Sequence, residues 1–297
     1  MKRREFIGAT LASQLSSLPA AVRGFRWAVC SETFPGKPFA EICDLTRRTN
    51  YTGLEIDPSN LSDDPAALSA PQRAVFKKTM RERGVEYVGL HAFLKAPKGL
   101  HLTTPDAGVR RRSWDYFDRL IDLAADLGDR PVMVLGSSKQ RQAIEGATPT
   151  EAVERLTGGL ARLAPHAERT GVTILMEPLA PHLCNLVNSM DEAAAIVNKI
   201  GSRAVQSMFD THNTPAETLP LPEVIRKHFS RIRHVHLNEL NGKYPGSGTF
   251  AFSPVLKALR DLNYRGWLSV EVFDFQPDGE TVARNAASHL QRLEREL

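Results

Sequence analysis

Three carboxylates and one imidazole stand near the ends of four successive apolar runs in the second half of the chain. Glu177 ends the first run, Asp210 the second, and His236 and Glu271 lie near the ends of the third and fourth. A carboxylate flanked by apolar residues is costly to bury unless it is paired. A bound cation would satisfy all four groups together. The sequence therefore predicts a metal site formed by Glu177, Asp210, His236 and Glu271.

Alternation along the third run supports this placement. His234, His236 and Asn238 fall on one face of an extended chain, and Val235 and Leu237 fall on the other. The apolar pair suits packing against outer helices. The polar trio then points inward, with His236 one layer above His234.

The predicted ligand set favours a hard divalent ion. Three oxygen donors and one nitrogen suit Mn²⁺, Mg²⁺ or Co²⁺ better than a thiolate-type zinc site. The three cysteines, Cys30, Cys43 and Cys184, are widely spaced and form no CxxC pair. We expect one divalent cation as cofactor, with Mn²⁺ the first choice and Mg²⁺, Co²⁺ or Zn²⁺ as alternatives.

The elements that must position these groups alternate regularly. Short apolar runs alternate with segments of helical periodicity, which predicts parallel strands joined by helices. No GxGxxG follows the first run, which argues against a doubly wound sheet. We predict a single-domain α/β (β/α)8 TIM barrel over residues 23–297, with its site at the carboxyl ends of the strands. The predicted strands are 27–33, 51–57, 86–91, 131–136, 172–178, 204–210, 232–238 and 267–273.

The first 22 residues form a separate segment. Arg3 and Arg4 precede Phe6, Ile7 and a mildly apolar stretch, which resembles a twin-arginine (Tat) export signal. The expected location is therefore periplasmic, and the alternative is a basic cytoplasmic tail. The net charge of +4 gives no case for nucleic acid. The sequence contains no run of about 18 apolar residues, which is the length that would indicate a membrane helix.

Several motifs resemble one known superfamily. They are MEPL (176–179), NLVNS (185–189), FDTHN (209–213), HVHLNE (234–239), PGSGTFAFSPVLKAL (245–259) and LSVEVF (268–273). With them the chain resembles the sugar phosphate isomerase/epimerase superfamily, whose barrel is xylose isomerase-like. This superfamily includes ketose 3-epimerases, hydroxypyruvate isomerase and inosose dehydratase. The resemblance implies the same four metal ligands and implies that Glu177 and Glu271 act as acid and base.

The expected reaction is isomerisation or epimerisation of a small sugar through an enediolate. Alternatives are a dehydratase or lyase acting on a keto-sugar or keto-glycoside, and a non-catalytic sugar-binding barrel. A phosphodiesterase like the AP endonucleases is disfavoured because only one four-ligand set is evident. A homo-oligomer is a further expectation. The residues expected to contact substrate are His212, His91, Glu55, Lys139, Asn185 and Glu239.

At three positions this chain lacks the residues that usually contact the sugar in ketose 3-epimerases. Those enzymes usually carry a glutamate at the position of Leu183, an arginine at Gly242 and a histidine at Asn213. The substrate is therefore expected to be something other than free fructose or tagatose.

Overall fold

The computed structural model describes residues 24–297. The predicted export segment, residues 1–22, lies outside the described residues. In the part of the chain that is described, no helix is long and apolar enough to cross a membrane.

Eight parallel strands close into a barrel in sequence order, β1 to β8, as the sequence predicts. Every predicted strand is present, and each is shorter than predicted. The strands are β1 (Arg26–Cys30), β2 (Gly53–Ile56), β3 (Glu86–Leu90), β4 (Val132–Leu135), β5 (Thr173–Met176), β6 (Val205–Asp210), β7 (Ile232–Leu237) and β8 (Trp267–Val270).

Helices surround the barrel and connect its strands. Two of them, α4 and α7, are short, with four and eight residues. The helices are α1 (Phe39–Arg48), α2 (Ala70–Glu82), α3 (Ala107–Leu127), α4 (Ser138–Arg141), α5 (Pro149–Thr170), α6 (Met190–Ile200), α7 (Leu221–His228), α8 (Phe252–Asp261) and α9 (Gly279–Glu296).

Local signals fix the bounds of helix α5. Thr148 and Glu151 form a reciprocal capping box at its start, which satisfies backbone N–H groups that have no partner inside the helix. Gly171 ends the helix in the left-handed region, with φ of 74°. Strand β5 begins two residues later, so this stop determines where Glu177 emerges.

The barrel interior is packed in layers below the site. Val134, Leu175 and Met208 form one buried cluster inside the barrel. By strand alternation Leu175 shares its face with Glu177, and Met208 shares its face with Asp210. An apolar layer therefore supports the polar cluster from below, as is usual for filled barrels.

Strand register brings the predicted ligands to one level. Asp210 is paired with His236 between β6 and β7, and His236 is paired with Ser269 between β7 and β8. Val235 and Leu237 belong to the main core around the barrel, which confirms their predicted outward orientation. The register thus places His236 between its two neighbouring carboxylates.

Candidate active site

The four predicted ligands meet at the carboxyl ends of β5 to β8. Glu177, Asp210, His236 and Glu271 each offer a ligand atom, and these atoms all lie within 4.8 Å of one another. Nδ1 of His236 lies 3.1 Å from Oε2 of Glu271 and 3.7 Å from Oε1 of Glu177. All four residues are buried. Their proximity is what a single cation would require.

Three carboxyl groups of this cluster lie close enough to influence one another's ionisation. Burial and the neighbouring Glu271 and Asp210 raise the pKa of Glu177 well above its usual range. Burial and Glu271 raise the pKa of Asp210 to about 6. Burial opposes charge on Glu271 too, but His236 and His91 more than offset it and lower the pKa of Glu271. Carboxylates that oppose one another's ionisation fit a site for a divalent cation, which would relieve that repulsion.

Asn213 orients two of the predicted ligands. Its Nδ2 donates a hydrogen bond to Oδ2 of Asp210 and lies 3.5 Å from Oε1 of Glu177. Its own Oδ1 accepts a hydrogen bond from the backbone N–H of Ala180 at 2.9 Å. The backbone N–H of His212 donates to Oδ1 of Asp210 at 2.8 Å. The FDTHN motif therefore supplies one ligand and the groups that orient it.

Glu55 lies behind His236, away from the cavity above the cluster. Nε2 of His236 is 3.0 Å from Oε1 of Glu55, and Nε2 of His234 is 2.7 Å from Oε2. Burial opposes ionisation of Glu55, but the two histidines more than offset it and lower its pKa well below the usual range. A carboxylate behind a metal-ligating imidazole fixes the ring's orientation and tautomer.

A cavity of about 620 Å³ opens above the four ligands. His91, Lys139 and His212, three of the six residues expected to contact substrate, line it together with Glu177 and Glu271. Leu179, Leu183 and Phe273 add apolar surface. The cavity therefore combines groups that can bind hydroxyls with a partly apolar wall.

The other three expected substrate contacts do not line this cavity. Glu55 is fully buried below it. Asn185 exchanges two hydrogen bonds with the backbone of Ala143, at 2.8 and 2.9 Å. Glu239 accepts from the backbone N–H groups of Gly246 and Phe250, each at 3.0 Å. Asn185 and Glu239 therefore hold loops that surround the site.

The structure adds Glu32 and Lys95 to the site. Oε2 of Glu32 lies 2.7 Å from Nε2 of His91, and Nδ1 of His91 lies 3.4 Å from Oε1 of Glu271. Although burial alone would lower it, Glu32 and Glu271 raise the pKa of His91 well above its usual value. Lys95 lines the cavity. Glu32 lies two residues after the end of β1, so a search of every strand end would have found it.

Arg141 is a buried residue that no sequence signal indicated. Its guanidinium donates to the carbonyl oxygens of Gly136 and Glu177, each at 2.7 Å, and of Leu186 at 3.2 Å. These bonds tie the end of β4 to the residues that follow β5. Gly136 lies so close that a Cβ built on it would overlap with Oε2 of Glu177. Arg141 and Gly136 therefore determine where the Glu177 carboxylate sits.

Fold and site together define a class: a (β/α)8 barrel with a buried acidic cluster at the carboxyl ends of its strands. The chain belongs to the xylose isomerase-like TIM barrel family, whose sequence model matches residues 43–293. This confirms the fold and the superfamily that the motifs indicated.

Curated relatives of this chain include ketose 3-epimerases. D-psicose 3-epimerase of Enterocloster bolteae is 35% identical over 122 residues, which span 41% of this chain and 40% of that protein. L-ribulose 3-epimerase of Mesorhizobium japonicum is 26% identical over 200 residues, 67% of each chain. The first alignment thus covers less than half of its relative.

A solved structure of similar fold is the 3-keto-D-glucoside 4-epimerase from E. coli in its apo form. It superposes with a TM-score of 0.77 at 18% identity, over 91% of this chain and 99% of that chain. At this identity the similarity demonstrates the shared fold.

Proposed function

We propose that this protein is a divalent-metal-dependent sugar epimerase or isomerase that removes a proton α to a carbonyl. The observation that carries the proposal is the convergence of Glu177 and Glu271 on His236 at the floor of a sugar-sized cavity. Two carboxylates within reach of one bound substrate suit general acid and base roles. The ketose 3-epimerase relatives support the reaction type.

Glu177, Asp210, His236 and Glu271 would hold the metal. When bound, a divalent cation would supply a Lewis acid that stabilises negative charge developing on the substrate's oxygens. The oxygen-rich donor set supports Mn²⁺ first, with Mg²⁺, Co²⁺ or Zn²⁺ as alternatives. Asn213 and Glu55 would keep the ligands oriented.

The proton transfers fall to the two glutamates. One carboxylate, Glu177 or Glu271, takes the proton from the carbon beside the carbonyl, and the electron pair of that C–H bond forms the enediolate. The other glutamate then gives a proton back. Delivery to the opposite face of the same carbon inverts it. Delivery to the former carbonyl carbon moves the carbonyl, provided that the proton of the neighbouring hydroxyl passes to the former carbonyl oxygen. His91, Lys139 and His212 line the cavity where they can bind substrate hydroxyls.

The apolar wall supports a substrate other than a small free ketose. Leu183 lines the cavity where ketose 3-epimerases usually carry a glutamate, and Phe273 lies in the same cavity. A ketose with an apolar or glycosidic substituent would place that group there. An oxidised (keto) glycoside is therefore the proposed substrate class, and an extracytoplasmic setting would suit it.

The test is deuterium exchange followed by NMR. Mn²⁺-loaded wild type, Glu177→Gln and the exposed control Glu223→Gln would be incubated in D2O with a panel of keto sugars and keto glycosides. We expect exchange in wild type and in the control, and none in Glu177→Gln. The position of the label would name the carbon.

Bound Mn²⁺ must be measured in each variant because Glu177 is also a predicted ligand. Exchange that persists in Glu177→Gln at full metal content would overturn its proton-transfer role. Full exchange after metal removal would overturn the metal dependence. An unsaturated product would indicate a lyase, and binding with no exchange would indicate a sugar-binding barrel.

A further inference from the structure

Glu32 and His91 lie side by side next to the four predicted metal ligands. Glu32 belongs to a short 3₁₀ turn, Ser31–Thr33, that follows β1, and His91 directly follows β3. The His91 side chain is buried, and that of Glu32 is largely buried. The proton transfers proposed above do not involve Glu32, so its place in the site needs an explanation of its own.

The His91 ring lies between two carboxylates. Its Nε2 is 2.7 Å from Oε2 of Glu32, and its Nδ1 is 3.4 Å from Oε1 of Glu271. The contact with Glu32 is close but is not aligned as a hydrogen bond. Polar contacts in catalytic sites are often long or poorly aligned before substrate binds, and they tighten afterwards. The ring thus connects Glu32 to one of the two glutamates that would transfer protons.

The two oxygens of Glu271 face different histidines. Oε1 faces His91, whereas Oε2 lies 3.1 Å from Nδ1 of His236, a predicted metal ligand. The two imidazole rings are nearly perpendicular, at 88°, and their centroids are 6.1 Å apart. The terminal torsion of a glutamate has broad preferences, so a carboxylate held at one oxygen can still turn. Contacts at both oxygens limit that rotation.

The turn that carries Glu32 is held on both sides. Oγ of Ser31 accepts a hydrogen bond from the backbone N–H of Asp57 at 2.9 Å. On the other side, a Cβ built on Gly279 would lie 1.8 Å from the carbonyl oxygen of Thr33, so α9 begins in close contact with the turn. The backbone at Glu32 therefore has little freedom to move, which suits a residue that holds another in place.

A purely structural role would explain part of this arrangement. Buried polar groups normally have a partner, and Glu32 could simply be the partner of a buried histidine. That role does not account for the direction of the ring, whose other nitrogen faces Glu271. Nor does it account for the place of His91 and Glu271 in the lining of the same candidate active-site cavity.

We propose that Glu32 is a positioning residue for the proposed reaction, on which this inference rests, and that it acts on Glu271 through His91. Glu32 holds the ring, and the ring holds Oε1 of Glu271. The carboxylate then keeps one orientation, with Oε2 directed towards the other predicted ligands. Proton transfer needs such an orientation, because a misplacement of about 1 Å can cost about 100-fold in rate.

Crystal structures of the Mn²⁺-loaded full chain test the positioning without a substrate. Glu32→Gln keeps the size of the side chain and removes its charge. In this variant we expect the His91 ring to turn or the Glu271 carboxylate to take up a second orientation. The exposed control Glu223→Gln should show neither change. Wild-type orientations of both side chains in Glu32→Gln would overturn the proposal.

The kinetic test follows deuterium exchange into methyl 3-keto-β-D-glucopyranoside, a keto glycoside. We expect Glu32→Gln to lower kcat about tenfold, a usual loss when the outer partner of a site residue is removed, while KM and bound Mn²⁺ stay unchanged. The control Glu223→Gln should match wild type. A raised KM at unchanged kcat would instead identify the two residues as substrate contacts and would contradict a positioning role.

A double variant tests whether Glu32 acts through His91. His91→Gln should lower kcat at least as much as Glu32→Gln does, and combining the two changes should add no further loss. Losses that multiply would rule out the proposed route. Glu32→Asp keeps the charge and should recover part of the lost kcat, and it serves as the second variant if Glu32→Gln is unstable.

The two proposals can fail separately. No exchange in wild type with this probe would count against the proposed function. The orientations of His91 and Glu271 in the crystal structures of wild type and Glu32→Gln would still decide whether Glu32 positions Glu271.

Discussion

Glu55 on strand β2 reaches across the barrel to His236 on strand β7, with 3.0 Å between Oε1 and Nε2. The two residues are 181 positions apart in the sequence, and both side chains are fully buried. This contact gives the predicted metal ligand a carboxylate partner on the side of its ring away from Glu271 and Glu177.

Replacing Glu55 with glutamine tests that contact. We expect Mn²⁺ affinity to fall by about 10- to 100-fold, as is usual when the partner of a ligating histidine is lost. Calorimetric titration with Mn²⁺ measures it, and Glu223→Gln is the exposed control. A raised KM with unchanged metal affinity would instead support the predicted substrate contact of Glu55.

A methyl group at position 136 should displace the Glu177 carboxylate. Gly136→Ala would place a Cβ against Oε2 of Glu177. Because a displaced carboxylate no longer matches the geometry of the transition state, we expect activity to fall at least about tenfold. Gly158→Ala is the matched control, because a Cβ there meets nothing within 4 Å. That control should be as active as wild type, and equal activities of the two variants would contradict the prediction.

Arg141 should contribute strongly to stability. Arg141→Met leaves three buried carbonyl oxygens without their donor, so we expect a loss of about 3 kcal/mol or more in the free energy of unfolding. Urea denaturation measures it. The exposed Arg169→Met should change stability by less than about 0.5 kcal/mol. A similarly small effect at Arg141 would show that water replaces its hydrogen bonds.

His166 should make stability depend on pH. Its two ring nitrogens lie 2.9 Å from carboxylates of Asp118 and Asp122 on α3. Burial alone would lower the pKa of His166, but the two aspartates raise it above its usual value. The contribution to stability is therefore complete below the unfolded-state pKa of about 6.5 and is lost as pH rises through the folded-state pKa.

Melting temperatures of wild type and His166→Gln, measured from below the unfolded-state pKa to above the folded-state pKa of His166, test the direction of this pH dependence. We expect wild type to be the more stable at acidic pH and the difference to shrink towards alkaline pH. A difference that grows with pH would show that the neutral imidazole makes the stabilising contacts.

Local patterns were sufficient to predict the barrel and its central cluster. Each strand is a short apolar run, and each ligand stands at a strand end, so a few neighbouring residues carry the information. Parallel strands of a closed barrel must then bring Glu177, Asp210, His236 and Glu271 to the same end. His234 and His236 share a face because side chains alternate along any strand.

The surroundings of the cluster could not be predicted in the same way. Asn185 and Glu239 lie in connecting segments, and their contacts depend on how those segments fold back on one another. The sequence does not show which loop Asn185 holds, or whether Glu239 faces substrate or backbone. The same is true of Arg141, which ends the short helix α4 and is buried by contacts with residues distant in the sequence. Loop paths depend on packing between distant segments, and no periodicity encodes them.

The sequence by itself determined the strand and helix order and the four groups of the predicted metal site, because both follow from local alternation and chain direction. Only the tertiary structure decided that Glu55 stands behind His236 and that Arg141 donates to the backbone carbonyl of Glu177. These relationships depend on the register and closure of the barrel, which fix distances between residues far apart in the chain.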